Sequence, residues 1–185
     1  MNMLDINTLV TFSSRTGSTE KLALAAALGA VQSRSNIRLR WVPENVDVQT
    51  IDQVPEWRAN RDRMAREYIA PREIDYLWAD VLVIGLPARD RVPFPELKTY
   101  LDILKGLHIA GKLRGKVGTA FTTESIEQSD PALVSLCSIL DGLDLILVPP
   151  DATAAGNTVD RARLHGRRVT EVARDLKRAG TTAFP

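Results

Sequence analysis

Apolar positions along the chain follow two alternating patterns. Short continuous runs bounded by polar turns predict strands at Thr8–Phe12, Val81–Gly85, Lys116–Phe121 and Asp144–Val148. Val81–Gly85 is apolar throughout, as a strand covered on both faces must be. Ile37–Val42 alternates apolar with basic residues instead, which suits a strand near a sheet edge. Between the runs, apolar residues recur every three or four positions and predict helices with one buried stripe. Leu22, Ala25, Ala26 and Gly29 form one such stripe, and Leu97, Tyr100, Leu101 and Leu104 a second. Leu133, Leu136, Cys137 and Leu140 form a third, started by Ser129-Asp130-Pro131, a capping side chain followed by proline in the first turn. Val169, Val172, Ala173 and Leu176 mark a closing helix. Asn45–Arg72 has no clear period and reads as an excursion of short amphipathic pieces.

Five strands separated by helices, with right-handed crossovers, predict a single α/β domain over residues 1–185 built on a doubly wound parallel sheet. Ligands of such sheets sit beyond the carboxyl ends of the strands. Three loops therefore carry the candidate chemistry: Ser13–Thr19, Leu86–Phe94 and Thr122–Asp130.

Composition narrows the function classes. Of 185 residues, 24 are basic and 23 acidic, so the formal net charge of +1 argues against a nucleic-acid partner. No apolar run reaches the roughly 18 residues of a membrane-spanning helix. Met1–Asn7 carries an acid and lacks the basic start and cleavage site of a signal peptide, and one cysteine excludes a disulfide framework. The expectation is a cytoplasmic protein without a membrane partner. Cys137 lies on an apolar stripe and is expected in the core. With two histidines, no metal site is expected; His108 reads as a surface residue and His165 as a packing residue of the last helix. Two basic groups, Arg58 to Arg72 and Arg161 to Arg168, read as solvated faces, with reception of nicotinamide phosphates as the sharper alternative. Trp78 and Tyr76, just before the third strand, read as core; Trp57 and Tyr68 fall in the excursion and are candidates to cover a neighbour's site.

The loop Ser13-Ser14-Arg15-Thr16-Gly17-Ser18-Thr19 runs from a strand into a helix. A helix N-terminus offers unpaired N–H groups and the positive end of a dipole, a glycine lets backbone approach an anion, and the hydroxyls and Arg15 add donors. This chemistry suits one terminal phosphate monoester. A hydroxyl-rich turn that only caps the helix accounts for the same residues. The triphosphate-binding loop and the three-glycine dinucleotide fingerprint are both absent.

Strand, Ser-x-Thr-Gly-x-Thr, helix resembles the phosphate loop of flavodoxins. The stretches Ala79–Arg89, Leu97–Asp102 and Leu113–Thr123 resemble the flavodoxin-like NAD(P)H:quinone oxidoreductases of the tryptophan-repressor-binding type. The resemblance runs from about Leu9 to Leu176. It implies a flavodoxin-like sheet of order 2-1-3-4-5, FMN as cofactor, NADH or NADPH as donor, a quinone-like acceptor, and a homo-oligomer (dimer or tetramer). It implies that Ser14, Arg15, Thr16, Gly17, Ser18 and Thr19 hold the FMN phosphate. Pro87, Ala88 and Arg89 would lie along one side of the flavin ring, and Thr122, Thr123, Glu124 and Ser125 would border the other. The flavin carries the chemistry, so no catalytic side chain is assigned.

The chain departs from the family around the ring. Asp90–Pro95 replaces a Phe-Gly-Asn continuation, Glu124–Asp130 replaces a glycine-rich stretch, and Leu143 stands where the family often has histidine. Two alternatives stay open: an FMN-binding electron carrier, and a flavodoxin-like protein that has lost flavin and has a structural or regulatory role.

Overall fold

The computed structural model describes residues 5–44, 46–87, 97–123, 131–150, 156 and 158–180. Its elements are β1 (Ile6–Phe12), α1 (Ser18–Gln32), β2 (Ser35–Trp41), α2 (Val48–Asp52), α3 (Pro55–Glu67) and α4 (Glu73–Trp78), followed by β3 (Val81–Leu86), α5 (Lys98–Ile109), β4 (Val117–Thr122), α6 (Pro131–Asp141), β5 (Ile146–Leu147) and α7 (Thr158–Arg178). The five strands form one parallel sheet of order β2-β1-β3-β4-β5. Val10 pairs with Leu39 on one side and with Val83 on the other.

Alternation along the strands sorts the core into two layers, because successive side chains leave opposite faces. Val10, Phe12, Val83 and Phe121 pack with residues of α1 and α7. Leu9, Leu82, Ile84 and Leu86 pack with residues of α4, α5 and α6. All six residues of β3 are buried, which is why it shows as a continuous apolar run.

The structure departs from the pattern in two places. β5 spans only Ile146–Leu147 rather than Asp144–Val148. Asp144 takes a left-handed conformation just before it (φ 61°), and Pro149 just after it has no N–H to extend the ladder. The aperiodic excursion contains two helices, α2 and α3. In α3 only Trp57 and Met64 are buried, so its sequence carries no full apolar stripe.

At the amino ends of the strands, Lys116 is buried and its ammonium donates to the Leu77 carbonyl (3.1 Å) and the Ala79 carbonyl. Burial pushes its pKa down to about 8, opposed by the nearby Asp80 charge. A lysine with a depressed folded pKa binds fewer protons when folded, so stability rises with pH from about 8 towards the unfolded value of about 10.4. The tyrosines act oppositely and later. Burial raises Tyr76 and Tyr68, so folded protein keeps phenolic protons that the unfolded chain releases above about pH 10. The melting temperature is therefore expected to climb between pH 8 and 10, and Lys116→Met to flatten that climb. An unchanged slope in the variant would show that another group drives it.

Candidate functional site

The carboxyl ends of β1, β3 and β4 finish level with one another. Phe12 pairs with Gly85, Gly85 with Phe121, and Leu86 with Thr122. Ser13, Pro87 and Thr123 consequently leave the sheet at the same end. Ser13 is held there by its amide, which donates to the Gly85 carbonyl (3.0 Å).

The loop from β1 into α1 is organised by its own hydroxyls. Ser14 Oγ is buried and accepts the amides of Gly17 (3.1 Å) and Glu20 (3.4 Å). Ser14 thus does the work of a helix cap while its hydroxyl proton stays available to donate. Gly17 heads α1 at φ 87°, a conformation that side chains disfavour. Thr16 and Ser18 bond each other through their hydroxyls (3.0 Å) and are exposed, whereas Thr19 is buried.

Arg15 leaves this loop sideways. Its Nε donates to Glu44 Oε1 at 2.9 Å, and its guanidinium carbon sits 4.3 Å from the centroid of the Trp57 ring. Glu44 is buried and follows β2, while Trp57 belongs to α3. A second connection joins α3 to the first turn of α1. Glu20 accepts Arg63 Nη1 and Nη2 (2.9 and 2.5 Å) and the Tyr68 hydroxyl (2.8 Å). Hydrogen bonding from Arg63 outweighs burial and holds the Glu20 carboxyl below its usual range. Burial, with Glu20 alongside, pushes Tyr68 up to about 12. Tyr68 also meets Phe12 edge to face at 5.1 Å. The excursion therefore packs beside the loop of its own chain.

The structure brings together Ser14, Arg15, Thr16, Gly17, Ser18 and Thr19, with Pro87, Thr122 and Thr123 at the same end of the sheet. Pro87 is half-buried after β3; Thr122 is buried at the end of β4, and Thr123 follows it half-buried. Ala88, Arg89, Glu124 and Ser125, with the departing segments Asp90–Pro95 and Glu124–Asp130, lie outside the described residues. Sequence reading missed Glu44. The one signal for it was topological: parallel strands put the end of β2 beside the end of β1.

The other candidates resolve into packing. His165 is buried, with Nε2 2.6 Å from Thr119 Oγ1, and that hydroxyl donates to the Val148 carbonyl (2.6 Å). His108 is partly exposed and lies 3.5 Å from Asp144. Cys137 is only half-buried, on a groove between α6 and β5, and burial raises its thiol pKa. Tyr76 is in the core as expected, and Trp78 is half-buried beneath Arg38 (4.1 Å). Among the described residues, no helix is long and apolar enough to cross a membrane.

A phosphate monoester fits this loop. Among the described residues, Ser13 Oγ is fully buried without a hydrogen-bond partner, an unmet donor where the chain leaves β1. Among the described residues, a β-carbon at Gly17 would meet only Glu20 Oε2, at 3.7 Å, a carboxylate already paired with Arg63. The site lies at the head of a 15-residue helix, whose dipole favours an anion there.

Sheet order, two helical layers and the position of this loop define a flavodoxin-like α/β protein. Solved structures agree on the fold. A flavodoxin, WrbA-like protein from Agrobacterium tumefaciens superposes with a TM-score of 0.62 at 20% identity, covering 92% of this chain and 99% of that one. A Streptococcus pneumonia flavodoxin gives 0.58 at 16% identity, covering 90% and 99%. No protein-family profile matches the chain. Curated relatives do. A protein named NAD(P)H dehydrogenase (quinone) from Archaeoglobus fulgidus is 29% identical, over 91% of this chain and 97% of its own length. One of the same name from Paracoccus denitrificans is 28% identical, over 91% and 94%. The chain is thus a flavodoxin-like relative of proteins named NAD(P)H dehydrogenase (quinone).

Proposed function

We propose that the protein is an FMN-dependent oxidoreductase that passes electrons from NADH or NADPH to quinones or similar small acceptors. The observation that carries the reading is the loop Ser13–Thr19: a hydroxyl- and glycine-built cradle at the head of α1, level with the ends of β3 and β4. The relatives' names supply the reaction class. In that reaction NAD(P)H gives up a hydride, and a quinone takes two electrons and two protons, the second from solvent.

When bound, FMN supplies the two-electron chemistry. The chain's own residues bind and orient. Amides at the head of α1 and the hydroxyls of Ser13, Ser14, Thr16, Ser18 and Thr19 would hold the phosphate. Pro87, Ala88 and Arg89 would border one side of the ring, and Thr122, Thr123, Glu124 and Ser125 the other. We further propose that the protein acts in the cytoplasm as a homo-oligomer, which light scattering on purified protein tests.

The deciding experiment is titration of purified apoprotein with FMN, followed by the flavin spectrum, then oxidation of NADH or NADPH with a quinone. Saturable micromolar or tighter binding with turnover is expected. Binding without pyridine-nucleotide oxidation would point to an electron carrier, and no binding would leave a fold without its cofactor. Gly17→Val is expected to weaken FMN at least about tenfold. A β-branched residue in a left-handed conformation costs roughly 1–3 kcal/mol, and it shifts the amides off the phosphate. Unchanged affinity would remove the loop assignment.

A further inference from the structure

Arg15 is the one cationic side chain in the Ser13–Thr19 loop, and its guanidinium is held from two directions. Glu44 takes the Nε at 2.9 Å, and the guanidinium carbon lies over the Trp57 ring, 4.3 Å from its centroid. Neither contact uses the terminal nitrogens. Among the described residues, Nη1 and Nη2 of Arg15 have no protein hydrogen bond, and the side chain is 38% exposed. A guanidinium held at its Nε and over an aromatic ring keeps both terminal nitrogens for a ligand, and that pair of donors matches phosphate oxygens. A free arginine side chain loses rotamer entropy when a ligand orders it. Here the ordering is done before any ligand arrives.

We infer that Glu44 and Trp57 are positioning residues that hold Arg15 as a preset fork for a terminal phosphate, making the site selective for phosphorylated over phosphate-free flavin. The inference rests on the FMN reading and assigns a role to two residues outside the phosphate loop. Trp57 is supplied by α3, so the excursion between β2 and β3 becomes part of the binding site. The Arg63–Glu20 and Tyr68–Glu20 bonds then explain why α3 is tied to the first turn of α1: they fix the distance between Trp57 and the loop.

The test is the ratio of FMN to riboflavin affinity, measured by fluorescence titration. A purely structural role would move both affinities together. Arg15→Gln is expected to weaken FMN about tenfold and leave riboflavin within about twofold. Trp57→Leu and Glu44→Gln are each expected to weaken FMN about threefold with riboflavin unchanged, and Trp57→Phe, which keeps an aromatic face, to restore most of the loss. In the Arg15→Gln background, Trp57→Leu should leave the ratio unchanged, because there is no guanidinium left to position.

Wild type binding FMN, with a ratio that survives Arg15→Gln or both positioning variants, would overturn the inference alone. So would tighter FMN binding by Glu44→Gln, since Glu44 would then be a competing anion. Failure of wild type to bind either flavin would remove the FMN reading, and this inference with it.

Discussion

Gly166→Ala is expected to lower the melting temperature by about 10 °C without touching any residue of the candidate site. Helices α1 and α7 cross with their backbones in contact. A β-carbon built on Gly166 would overlap the carbonyl oxygen of Ala26, and one on Gly29 would overlap that of Arg163. Neither obstacle is the movable end of a side chain, so the helices themselves must separate. That separation loosens Ala23, Ala26, Ala162, Val169 and Ala173, which are buried around the crossing. Overpacking of this kind costs about 3 kcal/mol, and each kcal/mol is worth about 2–4 °C in a domain of this size. Gly29→Ala should do the same, and the double variant should fall short of the sum, because a crossing already opened meets less overlap. Gly106→Ala is the control. It lies in α5 with nothing within 4 Å of the new methyl, and should stabilise by about 0.5–1 kcal/mol. Thermal unfolding by circular dichroism checks all four. Melting of Gly166→Ala within about 2 °C of wild type would mean that the two helices are not in backbone contact.

The crossing also shows what was legible in the sequence. Leu22, Ala25, Ala26 and Gly29 announce the buried stripe of α1, and Val169, Val172, Ala173 and Leu176 that of α7. The small residues among them do not say which helix they touch. Strand β3 was legible because burial on both faces forces a continuous apolar run, whatever its neighbours, while β1 and β4 are nearly as deeply buried but keep Thr8, Thr11 and Thr119 among their apolar residues. The phosphate loop was legible because its chemistry is local: hydroxyls, one glycine and a helix start within seven residues. The hold on Arg15 was not. Glu44 is 29 residues away and follows a strand whose alternating basic positions give no hint of a site, while Trp57 sits on a helix with two buried residues and hence no period. Burial leaves a pattern in sequence, but a contact between two polar side chains from separate loops leaves none.

The basic residues of β2 acquire their meaning only in three dimensions, and they carry the second large prediction: Asp75→Asn is expected to cost about 3 kcal/mol, or about 10 °C at pH 7. Asp75 is fully buried in α4. Arg40 grips it with two bonds, Nη2 to Oδ1 (2.7 Å) and Nε to Oδ2 (2.9 Å). Arg38 adds a third at 3.1 Å, and the Arg72 amide a fourth at 3.0 Å. Burial alone would raise the Asp75 carboxyl, but the bonds from Arg40 and the Arg72 amide, with the charges of Arg40 and Arg38, hold it below its usual range. The amide of asparagine keeps the shape and removes the charge, so two guanidinium groups at the edge of the core lose their counter-ion. A depressed folded pKa means that this stabilisation is present above the unfolded value of about 3.9 and is lost as pH falls through the folded one. The gap between wild type and Asp75→Asn should therefore close in acid. Acid sensitivity should persist in the variant, because the Glu20 carboxyl is depressed too. Arg40→Leu combined with Asp75→Asn should recover part of the loss, since a neutral pair is cheaper to bury than an unmatched charge. If Asp75→Asn instead melts within about 2 °C of wild type at pH 7, the cluster is worth no more than an exposed ion pair, and packing by Tyr76 and its neighbours holds α4 against the sheet without it.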